Sequence, residues 1–293
     1  MGKVAIVTDT TASLPSELVH SYQVVTIPLL LHLDGNTYRD TVDMKTADEL
    51  FQLVGKSSHF PTTSAPPPGE YVKLYQQLGQ QTDHIFVVTM SSNLSLTYGS
   101  ATQARAMVKK ELPELNIEVF DSKTTVGAMG LIVLAAARAA AAGKDLAEIT
   151  SIAEAVRSRV SYLFMMDTLT YLARSGRISK AKAMAGNMLS MKPITEILTS
   201  TGRPDVVTRP RTKKKAIEIL LGLVEQRVPT GQKLRVLIDH TGLVEEAERL
   251  KAMLADRLDL AEVLLCRYNP ISSMIVGPGG VGLGFYLESE EKS

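Results

Sequence analysis

The chain has 293 residues, a formal net charge of +1 and 45% hydrophobic residues. This length and composition are typical of a folded protein with one large or two ordinary domains, and they argue against a disordered chain. The balanced charge gives no global attraction to nucleic acid or acidic membranes. The single cysteine, Cys266, excludes an intramolecular disulfide and cysteine-based metal motifs, and it fits a reducing cytoplasm. We expect a cytoplasmic protein, and no metal or other cofactor.

Short β-rich runs alternate with helical patterns in the first half of the chain. This alternation predicts βαβ units and a doubly wound, mainly parallel sheet. The N-terminus enters a strand pattern at once, without the apolar segment of a signal peptide. The predicted strands are Val4–Thr8, Val24–Leu33, His84–Thr89 and Ile117–Phe120, and the predicted helices are Pro68–Leu78, Leu94–Lys110, Val126–Ala142 and Asp145–Val160.

We place a domain boundary near residue 158. Residues 1–158 are expected to form a Rossmann-like α/β domain, and residues 159–293 a second α/β domain with a mixed sheet and helices. In this C-terminal half the predicted strands are Tyr162–Met166, Ile194–Leu198, Val206–Arg209, Leu234–Asp239, Ala261–Arg267, Ile271–Val276 and Val281–Leu287, and the predicted helices are Ala183–Leu189, Thr212–Gln226 and Val244–Leu258. The glycine turn that begins at Gly277 predicts a hairpin or a strand return between the last two strands.

Three kinds of functional site are disfavoured by spacing. The glycines from Gly277 to Gly282 match a dinucleotide fingerprint, but the helix and acidic residue that should follow are missing. The five histidines are too dispersed for a metal site. Ser95, His240 and Asp121 could in principle form the catalytic triad of a Ser-His-Asp hydrolase. However, Ser95 lacks the flanking glycines of a nucleophile elbow.

Hydroxyl-rich turns follow two predicted strands and precede one predicted helix: Thr8–Ser13, Ser91–Ser95 and Thr62–Ser64. The carboxyl ends of strands in an open α/β sheet form the usual ligand crevice, and helix N-termini offer free N–H groups to an anion. Each hydroxyl taken alone is explained as a helix cap. Together they predict a site for one carboxylate or phosphate.

The same turns carry a family resemblance. Thr8-Asp-Thr-Thr-Ala-Ser-Leu resembles the N-terminal signature of DegV proteins, Thr63-Ser-Ala-Pro resembles their Thr-Ser-Gln-Pro motif, and Ser91-Ser-Asn-Leu-Ser-Leu-Thr-Tyr resembles their Ser-Ser-x-Leu-Ser-Gly-Thr-Tyr motif. Further matches, in the family's order, are Phe120-Asp-Ser-Lys, Leu172-Ala-Arg-Ser-Gly-Arg-Ile-Ser, Met191-Lys-Pro-Ile and Val276-Gly-Pro-Gly-Gly-Val-Gly-Leu. The ordered set covers nearly the whole chain and resembles the fatty-acid-binding (FakB-like) members of the family, which implies the two-domain DegV-like α/β fold.

The resemblance implies a lipid-binding carrier and not an enzyme. In the family, one long-chain fatty acid such as palmitate, stearate or oleate lies in a tunnel between the domains, and a separate fatty acid kinase phosphorylates its carboxylate. Transient membrane contact is compatible with this role, and nucleic acid is not an expected partner. Position by position, the resemblance implies carboxylate binding by Thr63, Ser95 and Arg177, pocket shaping by Asp9, Ser64, Asp121, Ser122, Gly277 and Gly279, and kinase docking by Arg209 and Arg211.

The sequence departs from the family pattern at three positions. Ile275 stands where the family commonly has a histidine, Leu96 replaces a glycine after Ser95, and Ala65 replaces a glutamine. These changes bear on the head-group site and leave the expected fold intact. Two alternatives stay open: a carrier or sensor of another apolar acid, and a serine hydrolase that uses Ser95.

Overall fold

The structure is a computed structural model that describes residues 4–178 and 191–288. The predicted helix Ala183–Leu189 lies outside the described residues. In the N-terminal half, residues up to 158, the strands are β1 (Ala5–Asp9), β2 (Val25–Ile27), β3 (Leu30–Leu33), β4 (Asn36–Arg39), β5 (Thr62–Ser64), β6 (His84–Thr89) and β7 (Asn116–Asp121). The helices of this half are α1 (Ser16–Ser21), α2 (Ala47–Lys56), α3 (Pro68–Leu78), α4 (Thr97–Val108), α5 (Val126–Ala141) and α6 (Leu146–Arg157).

The parallel sheet predicted for the N-terminal half is confirmed. It has the strand order β2-β1-β6-β7, and every neighbouring pair is parallel. Tyr71 of α3 packs on one face against Val87, while Phe86 faces the side that α5 and α6 cover. Because both faces are covered, the central strand β6 is an almost continuous buried apolar run, which is why its bounds match the prediction.

A small antiparallel sheet, with the order β4-β3-β5, was not predicted. β3 turns into β4 through Asp34 and Gly35, whose positive φ values of 49° and 78° are those that an Asp-Gly hairpin turn adopts. The predicted strand Val24–Leu33 is therefore two strands, which part around Pro28, a residue without a backbone donor. β5 is an edge strand of this sheet, and it carries Thr63.

The C-terminal half, residues after 158, contains a six-stranded mixed sheet. Its strands are β8 (Ser161–Met165), β9 (Ile194–Leu198), β10 (Arg203–Thr208), β11 (Leu234–His240), β12 (Leu260–Arg267) and β13 (Val281–Leu287), in the order β10-β9-β8-β13-β11-β12. The pair β11–β12 is parallel and the other pairs are antiparallel, so the predicted mixed sheet is confirmed. Its described helices are α7 (Thr170–Ser175), α8 (Lys213–Glu225), α9 (Val244–Ala255) and α10 (Pro270–Val276).

Helix α5 lies between the two large sheets. It contacts β1 and β6 on one side and β11 and β13 on the other, and it is buried almost all round. At Gly284 of β13 a Cβ atom would lie 2.4 Å from the backbone nitrogen of Ala128, so only glycine permits this approach. The largest apolar core contains residues from both halves. The boundary near residue 158 falls between α6 and β8 and stays a prediction.

The predicted strand Ile271–Val276 is wrong, because this segment is the helix α10. Asn269 caps the helix by accepting a hydrogen bond from the backbone nitrogen of Ser272, and Pro270 occupies the first helical position. Both are helix-start signals that outweigh the β-branched composition of the run. The glycine turn at Gly277 consequently joins a helix to β13 and does not form a hairpin.

Candidate functional site

A cavity lies between the C-terminal sheet and the carboxyl ends of β1 and β6. The empty space within it is about 710 Å³ when the open mouth is included. Most of its wall is apolar and comes from both halves of the chain. The apolar lining residues are Leu29, Met90, Leu94, Val126, Phe164, Leu172, Ile197, Pro204, Ile271, Ile275 and Val276.

One wall of the cavity comes from the strand β8. Tyr162 and Phe164 alternate onto the cavity side, where their rings stack with centroids 5.6 Å apart, while Leu163 and Met165 face the core on the other side of the sheet. The Tyr162 hydroxyl donates to Oδ2 of buried Asp239 at 3.0 Å and lies 2.6 Å from the hydroxyl of Tyr268. These bonds fix the orientation of the Tyr162 ring in the wall.

Thr63 and Arg177 meet at the polar part of the lining. Nη2 of Arg177 donates to Oγ1 of Thr63 at 2.7 Å, and Nη1 donates to the carbonyl of Ser175 at 2.7 Å. Burial lowers the pKa of the Arg177 guanidinium. Among residues 4–178 and 191–288, no carboxylate pairs with it. A half-buried cation without an acidic partner favours an anion at this point.

Ser95 lies in the lining with Thr63 and Arg177, so the structure brings the three predicted carboxylate-binding residues to one cavity. The Ser95 hydroxyl is 2.8 Å from Oγ1 of Thr97 and accepts from the Thr97 backbone nitrogen at 3.3 Å. A catalytic triad is not assembled in the described part of the chain: Asp121 accepts instead from Ser92, and His240 is absent from the lining.

Three predicted pocket-shaping residues lie behind the wall and do not form it. Asp9, at the end of β1, accepts from the backbone nitrogens of Thr11 and Met90 at 3.0 and 2.8 Å, and both of those residues do line the cavity. Burial raises the pKa of the Asp9 carboxyl. Asp121 binds Ser92, and Ser122 is buried with its hydroxyl on the carbonyl of Thr124.

The other three predicted pocket-shaping residues lie on the β5 strand and in the glycine turn. Ser64 touches the cavity, and its hydroxyl is 2.9 Å from Nε2 of His32. Gly277 and Gly279 are outside the lining and both have φ of +83°. A Cβ atom on Gly277 would lie 2.5 Å from the ring of Tyr171, so this turn needs glycine to pass the aromatic side chain.

A sequence model of the family described as uncharacterised DegV proteins matches residues 3–288. The chain belongs to the DegV family. Protein DegV of Bacillus subtilis is 31% identical over 281 residues, covering 96% of this chain and 98% of that protein. The expected family and two-domain DegV-like fold are therefore confirmed.

Solved DegV structures match the fold over nearly the whole chain. One, described as fatty acid binding of a DegV family protein from Thermus thermophilus, has a TM-score of 0.89 and 29% identity and covers 98% of this chain and 100% of its own. Another, described as DegV, a fatty acid binding protein from Bacillus subtilis, has a TM-score of 0.83 and 30% identity with the same coverage. Both descriptions name fatty acid as the ligand of those proteins.

The departures of this DegV protein from the family pattern lie around the cavity. Ile275, where the resemblance led us to expect a histidine, lines the cavity with an apolar side chain. Leu96 is 79% exposed beside Ser95, at the N-terminus of α4. Ala65 directly follows β5. The polar groups of the lining are mainly hydroxyls and the Arg177 guanidinium.

The predicted docking residues lie away from the cavity lining. Arg209 and Arg211 are exposed in the segment that joins β10 to α8. Within the described residues, no cluster of three or more His, Cys, Asp or Glu side chains could hold a metal ion. In the same part of the chain, no helix has the length and apolar character needed to cross a bilayer.

Sequence reasoning missed several lining residues: Thr11, Thr125, Tyr162, Phe164, Ile271 and Ser272. Thr11 belongs to a turn that was singled out, and Tyr162 and Phe164 lie in a predicted strand. The alternation along β8 places these two on one face, but it does not say which face is next to a cavity. Ile271 and Ser272 were hidden by the wrong strand prediction.

Proposed function

We propose that this DegV protein binds one long-chain fatty acid in the cavity and presents its carboxylate to a fatty acid kinase. The acyl chain lies along the apolar wall, and the carboxylate accepts hydrogen bonds from Thr63, Ser95 and Arg177. The kinase transfers the γ-phosphoryl group of ATP to a carboxylate oxygen, which yields an acyl phosphate and ADP. We place this exchange in the cytoplasm, where a protein with a single free cysteine remains reduced.

The observation that carries the proposal is an apolar cavity whose polar groups include one cation that pairs with no carboxylate among residues 4–178 and 191–288. Arg177 supplies charge and Thr63 and Ser95 supply hydroxyls, while the rest of the lining is mainly aliphatic and aromatic. An apolar molecule with one anionic end matches this distribution. The ligands named for the Thermus thermophilus and Bacillus subtilis proteins have the same chemistry.

The two parts of the site contribute differently to binding. Burying an acyl chain of about sixteen carbons at roughly 0.8 kcal/mol per methylene gives on the order of 10 kcal/mol before the cost of association. Each hydrogen bond to the carboxylate adds about 1.5 to 3 kcal/mol at best, but an unpaired carboxylate would oppose burial. The tail therefore provides most of the affinity, and the polar groups set its orientation.

Identification of the native ligand tests the proposal. We expect organic extracts of the purified protein to contain one equivalent of long-chain fatty acid by mass spectrometry. Delipidated protein should then bind a fluorescent polyene acid such as cis-parinaric acid with one-to-one stoichiometry. A different apolar acid in the extract would favour the alternative carrier or sensor function, and failure to bind any such acid would refute the proposal.

The hydrolase alternative requires a separate measurement. Generic esters should show no turnover that depends on Ser95, because its hydroxyl contacts Thr97 and no histidine in the described residues. Turnover that disappears in S95A would establish the alternative. For the kinase step, we expect ATP-dependent acyl phosphate formation with a fatty acid kinase to decrease in R209E/R211E while acid binding stays unchanged. Unchanged kinase activity would remove these two residues from the docking assignment.

A further inference from the structure

Asp40 is a buried carboxylate that the proposed function does not use. It directly follows β4, is 1% exposed and does not line the cavity. Its Oδ2 accepts from Oγ1 of Thr10 at 2.6 Å and also from Nδ2 of Asn269. Its Oδ1 accepts from the backbone nitrogen of Ile271 at 3.3 Å. One side chain thus joins the N-terminal half to the start of α10, which is more than two hundred residues away.

The segments that Asp40 holds are walls of the cavity. Thr10 is next to Thr11, which lines it, and the Thr10 hydroxyl also accepts from the backbone nitrogen of Leu29 at 3.3 Å. The Leu29 carbonyl in turn accepts from the backbone nitrogen of Asp40 at 2.9 Å. On the other side, α10 presents one face to the cavity through Ile271, Ser272, Ile275 and Val276. A displacement of Asp40 therefore displaces cavity walls in both the N-terminal and the C-terminal half.

We propose that Asp40 is a positioning residue that controls how fast the ligand leaves: its carboxylate holds α10 against the N-terminal strands, and loss of these contacts loosens the wall. The inference rests on the proposed function, since it needs an apolar acid in the cavity. The two carboxylate oxygens accept bonds from all three donors at once. An asparagine at this position has one acceptor oxygen and an NH₂ group that cannot accept, so at least one of the bonds to Asn269 or Ile271 is lost.

Burial raises the pKa of Asp40 to about 6, against the opposing effect of its hydrogen bonds from Thr10, Asn269 and Ile271, and the charge of Asp9 adds to the increase. At about pH 7.5 the side chain is therefore mainly ionised, and a carboxylate accepts hydrogen bonds more strongly than a neutral group does.

The first experiment measures release of cis-parinaric acid from the full-length protein into excess neutral phospholipid vesicles. At about pH 7.5 we expect D40N to release the acid about tenfold faster than the wild type, the equivalent of one lost hydrogen bond to a charged group. D43N removes an exposed carboxylate of the same segment, one that binds Arg39, and it should behave as the wild type.

Exchanging the donor and the acceptor between residues 40 and 269 distinguishes loss of this hydrogen bond from misfolding of a variant. N269D keeps the cap on Ser272 but replaces the amide donor by a second carboxylate, so it should release the acid about tenfold faster at about pH 7.5. In D40N/N269D the donor lies on residue 40 and the acceptor on residue 269, and slow release should be restored. Equal release from the wild type, D40N and N269D would overturn the Asp40 proposal and leave the proposed function standing. Absence of acid binding by the wild type would refute both.

Discussion

Arg177 is the most direct test of the carboxylate site. R177Q keeps a polar side chain with an N–H donor but removes the charge, so the anionic end of the ligand loses its ionic partner. Arg174 offers a matched control on the adjacent helix α7. It is exposed, stacks over the ring of Phe60 with its Cζ 4.4 Å from the ring centroid, and lies outside the cavity lining.

The expected loss follows from the position of Arg177. A hydrogen bond to a charged partner contributes about 1.5 to 3 kcal/mol, and the value falls towards the lower end because the side chain is only half-buried. We therefore expect R177Q to weaken binding of a long-chain acid about tenfold. R177K keeps the charge but loses the planar fork that spans Thr63 and the ligand, so its loss should be smaller.

The assay compares an acid with the alcohol of the same chain by competition against cis-parinaric acid. R177Q should weaken the acid about tenfold and leave the alcohol nearly unchanged, because the alcohol has no charge for Arg177 to neutralise. R174Q should change neither affinity. An equal loss for acid and alcohol in R177Q, or an equal loss in R174Q, would refute the assignment of the carboxylate to Arg177.

Two further predictions concern stability. Burial raises the pKa of Asp239 to about 7, so folding takes up a proton and this contribution to stability is lost as pH rises through about 7. In urea unfolding, the wild type should lose about 3 kcal/mol between about pH 5 and pH 8 from this group, and D239N should show a flatter profile; identical profiles would contradict this. G284A places a Cβ 2.4 Å from the backbone nitrogen of Ala128 and should cost about 3 kcal/mol or more, whereas G222A, in an open part of α8, should stabilise by about 0.5 kcal/mol. A small effect of G284A on the urea midpoint would refute the close packing of α5 on β13.

The fold was predictable where strands are buried on both faces and where the local signals agree. His84–Thr89 and Val281–Leu287 have the predicted bounds because their apolar runs end at clear turns. The helix α2 was missed although Thr46 and Glu49 form a capping box in front of it, which shows that the signal was present in the sequence. The strand prediction at Ile271–Val276 failed for a different reason. It gave more weight to the β-branched composition of the segment than to the helix-start signals at Asn269 and Pro270.

The site was less accessible to local reasoning because its contacts join distant residues. Thr63 and Arg177 are 114 positions apart, and only the family resemblance placed both at one ligand end. Asp40 carried no motif at all. Its bonds to Asn269 and Ile271 depend on the packing of α2 against α10. The hydrophobic periodicity of the sequence does not predict which helices pack together.

Several of the polar contacts that cross between the halves lie beside the cavity. Arg177 reaches Thr63, Asp40 reaches Ile271, and Asp239 accepts from the backbone nitrogen of Gly127 at the start of α5. Each contact joins a residue before position 158 to one after it. The same hydrogen bonds therefore resist separation of the halves and hold the cavity walls together. A ligand between the walls adds apolar contact to both sides, so its binding energy contributes directly to the cohesion of the whole chain.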